Sequence, residues 1–295
     1  MTISQILVTG ASGFIGSNLI DQLITKEDTI IYGLSRKNNK LKSLYYKHIS
    51  IDISEPGWTQ FIPCEIDVVV HLAQSYYYRE FPDGAQDMVG VNIGATAELL
   101  DWARSNGVKR FLFASTGNVY TPSRMAHQET DVCEPTNMYA VTKLSGEMLV
   151  KQYPNYFETI ILRFFGVYGP GQTKMIVPKI IEAVRNGEQI TLAGGTGLHI
   201  NLIYIKDCIK ILHQLIKSSD VYKNEIFNIA GKEVVTLAMI VKETEKLLKK
   251  KANTCRTSLP PAYLIGSNDK ITQHSKINHF IPLKKGLEDT VKSTK

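Results

Sequence analysis

Residues 6–20 read ILVTGASGFIGSNLI, a short apolar run followed by glycines at positions 10, 13 and 16 and then by apolar residues at helical spacing. A strand that turns into a helix within a few residues leaves the first helical N–H groups without partners, and small residues let the backbone pass close to a neighbour. Gly10 suits the tight turn, Gly13 leaves room for a diphosphate against the backbone, and Gly16 permits close packing of helix on sheet; the helix N-terminus favours negative charge. Three glycines alone match many chains by chance. The strand before them and the amphipathic helix after them supply the context of a dinucleotide-binding turn, with Phe14 and Ile15 among its contacts. A glycine-rich turn without a ligand is the competing reading.

The same alternation continues. Apolar runs begin at Gln5, Thr29, His48, Asp67, Arg110 and Thr159, and helix-like segments cover 13–26, 83–106 and 136–152. Strand–helix alternation predicts an α/β fold with a doubly wound parallel Rossmann-type sheet, whose strands read apolar throughout because helices cover both faces. Beyond Gly166 the regularity weakens to helices over 177–186, 237–250 and near 285–292, with strands at 201–205 and from Glu225. We expect a dinucleotide-binding domain over 1–165 with a contribution from about 203–230, and a smaller C-terminal substrate-binding lobe from 166–202 and 231–295. Such a lobe would cover the carboxyl edge of the sheet, where open α/β folds bind ligands.

Composition narrows the alternatives. With 43% hydrophobic and 21% charged residues the chain has an ordinary globular balance, and its net charge of +6 comes partly from runs such as LLKKK at 247–251 that read as solvated helix faces rather than a nucleic-acid site. Cys64, Cys133, Cys208 and Cys255 form no CxxC pair and have no histidine at metal-ligand spacing, which predicts no metal site and no disulfide framework, and fits a reducing cytoplasm. No apolar run approaches the ~20 residues of a membrane span, and the N-terminus lacks a leader pattern, so no membrane association is expected.

About 20 residues past a glycine turn of this kind an acid ordinarily holds the adenosine ribose of NAD. Here the chain reads YGLSRKN, placing Ser35, Arg36 and Lys37 there. Cations at that place can pair with the 2′-phosphate of NADP, which tilts the cofactor expectation from NAD towards NADP; a solvated basic loop is the bland reading. Asp52, followed by Ile53, is a candidate for the adenine amino group or a cap for a helix near Ser54.

NMYAVTKLSGEML puts Tyr139 and Lys143 at i and i+4, on one helix face. A positive charge near a phenol lowers its reference pKa of ~10 and lets it donate and accept a proton near neutrality. The pair would mean little alone, but FASTGNVY ends the preceding strand and presents the hydroxyl of Thr116 to the same place.

With TGASGFIG, HLAQS, VNIGATAELLDWA, FASTGNVY, YAVTK, LRFFGVYGPGQ and FNIAG in order, nearly the whole chain resembles the extended short-chain dehydrogenase/reductase family, in its nucleotide-sugar epimerase, dehydratase and reductase branch. The resemblance implies that Tyr139 is the acid/base, that Lys143 lowers its pKa and binds the nicotinamide ribose, and that Thr116 bonds the reacting oxygen. It places Leu72, Ala73 and Gln74 beside the cofactor and makes Asn92 a support of the active-site helix. It further implies homodimer pairing through the helices of 83–106 and 136–152.

The chain departs from the branch in three places. Gly117 and Asn118 stand where its dehydratases carry the acids that expel water, which disfavours dehydration. Gly166 stands where many relatives have an asparagine on the substrate diphosphate, and His199 where an arginine is common; Lys174 and Lys179 are further cations for that grip. Ser75, Tyr76, Tyr77, Tyr78 and Arg79 either line a sugar pocket or pack under a loop. The function expected is reduction of a nucleotide-linked 4-ketosugar for a surface polysaccharide, favoured by the basic residues. The alternative is a 4-epimerase with tightly held NAD, and a non-catalytic NAD(P) sensor is the reading from a different class.

Overall fold

A computed structural model describes residues 5–25, 29–38, 41–275, 277 and 279–294; Lys26, the last residue of the first expected helix, lies outside them. In chain order it runs β1 (Gln5–Thr9), α1 (Phe14–Leu23), β2 (Ile30–Ser35), β3 (Tyr46–Ser50), β4 (Val68–His71), α2 (Ala85–Val89), a π-helical turn (Gly90–Gly94), α3 (Ala95–Ser105), β5 (Arg110–Thr116), α4 (Met138–Val150) and β6 (Glu158–Phe164). There follow β7 (Val167–Tyr168), α5 (Ile176–Asn186), β8 (Gln189–Ala193), β9 (His199–Ile200), β10 (Ile203–Tyr204), α6 (Ile205–Lys217), β11 (Glu225–Ile229), β12 (Val235–Thr236), α7 (Leu237–Leu248), β13 (Asn253–Thr257), β14 (Tyr263–Leu264), α8 (Asp269–Ser275) and α9 (Leu283–Ser293).

Seven strands form a parallel sheet in the order β11-β6-β5-β4-β1-β2-β3, the doubly wound Rossmann-type arrangement. The chain winds outward from β1 through β2 to β3, then restarts at β4 and winds the other way. The switch therefore falls between β1 and β4, whose registers pair Ile6 with Val68 and Thr9 with His71. Ligands bind at such a switch in open α/β sheets, beyond the carboxyl ends of the strands. β-branched runs make these strands: VVVH of β4 is buried throughout, as required when both faces are covered. Leu7, Val69, Leu99, Phe111 and Ile161 belong to the core on one face.

The chain divides into two compact units, the first of residues 1–121, 132–163 and 212–227, the second of 122–131, 164–211 and 228–295. In the second unit, β12, β9 and β14 form one small sheet, and β13 pairs in parallel with β8. Of the strand expected at 201–205 only Ile203–Tyr204 forms one, β10; Ile205 opens α6 and Asn201 lies between β9 and β10. That side chain is buried and donates to the carbonyls of Gly231 at 3.1 Å and Gly266 at 2.6 Å, so it ties loops together instead of extending a ladder.

Candidate active site

Gly10 has φ +68°, and a Cβ there would stand 2.9 Å from the backbone N of Ala73. Only glycine lets the turn after β1 approach the loop leaving β4 in this way. At Gly16 a Cβ would collide with the carbonyl oxygen of Gly10. Gly13 is the N-cap of α1 and, having no side chain, caps none of the N–H groups that follow it. These backbone donors and the absence of side-chain bulk fit a dinucleotide diphosphate.

The hydroxyl-bearing residues come from three elements of the first unit. Tyr139 stands in the first turn of α4, which Asn137 caps by accepting the N–H of Ala140 at 3.0 Å. Its hydroxyl donates to Gln74 Oε1 at 2.9 Å, on the loop after β4, and Thr116 at the end of β5 also bonds it. Thr116 Oγ1 in turn accepts from Asn118 N at 3.2 Å and Asn118 Nδ2 at 3.0 Å, so Asn118 orients the threonine. Tyr78 packs on Tyr139 with ring centroids 5.2 Å apart, and the Arg79 guanidinium lies 5.0 Å from the Tyr78 centroid.

Charge in this cluster is shaped first by burial. Burial pushes the Tyr139 phenol well above its ordinary value, and Tyr78 adds to this, while the Thr116 bond and the Arg79 cation act in the opposite direction. Lys143, one turn along α4, is 2% exposed with its Nζ 4.4 Å from the Phe113 centroid. Burial lowers its ammonium to about 7, against the pull of Glu147. His71 at the end of β4 is enclosed between Thr9 Oγ1, 2.6 Å from Nδ1, and Thr96 Oγ1, 3.0 Å from Nε2. Burial, and then the Lys143 charge, lower it to about 3, so it is a neutral brace.

Asn92 lies in the π-helical turn, a distortion frequent at functional sites. Its Oδ1 accepts the N–H of Ser75 and its Nδ2 donates to Thr142 Oγ1 on α4, both at 3.0 Å. The buried Ser75 hydroxyl is engaged by Asp87, while Tyr76 is exposed with its ring edge-on to Tyr77.

Residues 6–230 match the profile of the NAD dependent epimerase/dehydratase family. The chain belongs to that family. It is 30% identical over 259 residues to the low-salt glycan biosynthesis protein Agl12 of Haloferax volcanii, covering 83% of this chain and 82% of the relative. It is 28% identical over 312 residues to the UDP-glucuronate 4-epimerase of Thermodesulfobacterium geofontis, with 98% and 95% covered. Among solved structures it is similar to the UDP-glucuronic acid 4-epimerase from Bacillus cereus in complex with UDP-glucuronic acid and NAD, at TM-score 0.89 and 27% identity over 98% of both chains. Family membership makes this an NAD(P)-dependent sugar enzyme of the extended short-chain dehydrogenase/reductase type.

Against that family identity, several expected contacts change character. Arg36 Nη1 stands 3.8 Å from Asp52 Oδ2, so the cation offered to a 2′-phosphate already faces a carboxylate. Asp52 Oδ1 accepts from the N–H of Ser54 at 3.1 Å and its hydroxyl at 2.9 Å; it closes a turn, and no α-helix follows there. Ser35 Oγ donates to the Lys37 carbonyl at 2.9 Å. Ile53 is buried in the core. In the second unit, a Cβ on Gly166 would stand 2.8 Å from Ile200 Cδ1 and 2.9 Å from Leu202 Cδ2: apolar side chains fill the place an asparagine would take. His199 bonds Thr196 Oγ1 through Nε2 at 2.9 Å and lies 4.9 Å from the Tyr263 ring. Sequence reasoning did not find Ser115, Glu147 and Arg163, which are buried and bonded to one another beneath Lys143. The i+8 spacing of Glu147 from Tyr139 was the available signal.

Proposed function

We propose that the protein is a nucleotide-sugar 4-epimerase that holds NAD tightly. The convergence of Tyr139, Thr116 and Gln74, with Lys143 buried one turn along α4, carries the reading. The nicotinamide cofactor, when bound, supplies hydride acceptance and return at the sugar carbon. The Gly10–Gly16 turn would hold its diphosphate, Leu72 and Ala73 would flank it, and Lys143 would meet its ribose. The chain's own work is proton handling and position. Tyr139 would work as the phenolate, which burial disfavours and the positive ring of the oxidised cofactor favours: in that form it takes the proton of the C4 hydroxyl as that carbon is oxidised, and returns it to the ketone oxygen once the sugar presents its opposite face. Thr116, fixed by Asn118, holds the reacting oxygen. Neither Gly117 nor Asn118 supplies an acid for expelling water.

The 4-ketosugar reductase reading rested on Ser35, Arg36 and Lys37. The Arg36–Asp52 pair weakens that support for NADP, and the named 4-epimerases among the relatives favour the alternative. The substrate class is a nucleotide-linked hexose or hexuronate, gripped at its diphosphate by groups other than a side chain at position 166. Homodimer pairing through the helices of 83–106 and 136–152 belongs to the same proposal, supported by the exposed Val89, Val141 and Met148 within those segments.

Incubation of the purified enzyme with UDP-glucuronic acid, UDP-glucose and UDP-N-acetylglucosamine tests the reading. The expected result is interconversion of 4-epimers without net cofactor turnover; steady NADPH consumption with a 4-ketosugar would restore the reductase. Tyr139→Phe should lower turnover by about 10²- to 10⁴-fold, whereas a sensor would keep full function.

A further inference from the structure

Tyr139, Lys143 and Glu147 stand at i, i+4 and i+8 along α4, a single stripe on the helix. Glu147 is fully buried. Its Oε1 accepts from Ser115 Oγ at 2.5 Å and from Arg163 Nε at 3.0 Å, and its Oε2 accepts from Arg163 Nη2 at 2.7 Å. Arg163 Nη1 donates to Tyr120 Oη at 2.6 Å. Ser115 immediately precedes Thr116 on β5, and Arg163 belongs to β6. One carboxylate thus joins α4 to β5 and β6 beneath the stripe that carries Tyr139 and Lys143.

Buried ion pairs are poor stability devices, because desolvation offsets their attraction and apolar residues of similar volume often replace them without loss. What this pair supplies is charge and register. Lys143 Nζ has the face of Phe113 on one side and makes no hydrogen bond among the described residues. The charged groups acting on it are Glu147 from its own helix, which favours the ammonium, and His71 from β4, which is neutral.

We propose that Glu147 is the positioning residue of the site: anchored by Arg163 and Ser115, it supplies the counter-charge to Lys143 and holds α4 in register with the Thr116 end of β5. The inference rests on the reading of Tyr139 and Lys143 as the proton-handling pair.

The test uses the holoenzyme with ¹⁵N-labelled lysine, following the Nζ resonance that Lys143→Met removes, alongside the pH profile of kcat. Two variants are compared with wild type: Glu147→Gln, and Glu147→Leu combined with Arg163→Met, which removes both charges so that neither is left buried alone. Loss of the carboxylate disfavours the ammonium, so Lys143 should titrate about 1 to 3 pH units lower in both. The kcat profile should move with it, KM for the sugar should hold, and Glu147→Asp should recover part of the shift. A double variant that folds and titrates as wild type would overturn the proposal. So would failure of both variants to fold, since Glu147 would then be a stability device. The lysine titration needs no turnover, so a displaced resonance in a protein inactive on every sugar would remove the epimerase reading alone.

Discussion

Arg110 and Arg163 both lie buried in the first unit with a glutamate at hydrogen-bond distance: Arg110 Nε is 2.6 Å from Glu158 Oε2, and Arg163 Nη2 is 2.7 Å from Glu147 Oε2. The remaining donors of Arg110 point at backbone. Nη1 donates to the carbonyls of Leu215 at 2.6 Å, Ile216 at 3.3 Å and Ser218 at 3.1 Å, and Nη2 to that of Asp220 at 2.9 Å. The Leu215 and Ile216 carbonyls are left over in the last turn of α6, those of Ser218 and Asp220 belong to the loop that follows, and Tyr222 lies under the guanidinium at 4.8 Å. Arg163 Nη1 instead donates to the Tyr120 hydroxyl, and its glutamate faces Ser115 and Lys143. Both arginines are buried and paired, Arg110 through one contact to a partly exposed Glu158 and Arg163 through a fork on a fully buried Glu147; the partners beyond the pair separate a helix terminus from a charge held beside an ionisable amine.

Truncating Arg110 to alanine should have the largest effect on stability. It leaves Glu158 without its cation and the buried Leu215 and Ile216 carbonyls without that donor, at a cost of about 3–5 kcal/mol. A lowered denaturant midpoint with unchanged turnover per folded molecule is the expected result; a shifted kcat profile would erase the contrast with Arg163.

Lys143→Met should remove a pH dependence that no change at Arg110 touches. The amine titrates near 7 in the folded protein against 10.5 for an unperturbed lysine. Between those values the unfolded chain binds the extra proton, so wild-type stability should rise with pH across that window by an amount on the order of a few kcal/mol. The variant should lose this rise in urea titrations at fixed pH. His71 acts in the acid range: with a folded value of about 3 against 6.5, it should cost stability as pH falls through that interval, and His71→Gln should flatten the fall.

Substituting lysine for each arginine then sharpens the contrast at a smaller size, about 1–3 kcal/mol apiece, because an ammonium cannot reproduce the fork. Only Arg163→Lys should also move the kcat profile; equal profiles in the two variants would count against a special role for the Glu147 pair.

How far these residues were legible follows from how local their signals are. The strand–glycine–helix turn was readable because Gly10, Gly13 and Gly16 answer to steric demands within ten residues. Tyr139 and Lys143 were readable because helical spacing puts them on one face. Glu147 lies on that same stripe, but its meaning depends on Arg163, 16 residues away, and on Ser115, 32 residues away, reached through parallel neighbours in a sheet. The surroundings of Asp52 were hidden for a related reason: Arg36, from the neighbouring strand's end, comes beside it only once β2 and β3 are placed side by side. At Asn201 the apolar neighbours predict a strand and hide a side chain committed to two distant loops.

Ser115→Ala is the smallest and most selective change. It removes one hydrogen bond to Glu147 while leaving both charges, the Arg163 fork and Lys143 in place, so stability should fall by only about 0.5–1.5 kcal/mol. The Lys143 titration should scarcely move, because the carboxylate that favours the ammonium is still there. Register is what the hydroxyl contributes: without it, α4 is tied to β6 but less firmly to the strand end that presents Thr116. A lower kcat at unchanged pH profile is therefore expected, and restoration by Ser115→Thr would attribute it to the hydroxyl. If Ser115→Ala instead displaced the profile as far as Glu147→Gln, charge and register would not be separable here, and Ser115 would be acting through the ionisation of Glu147.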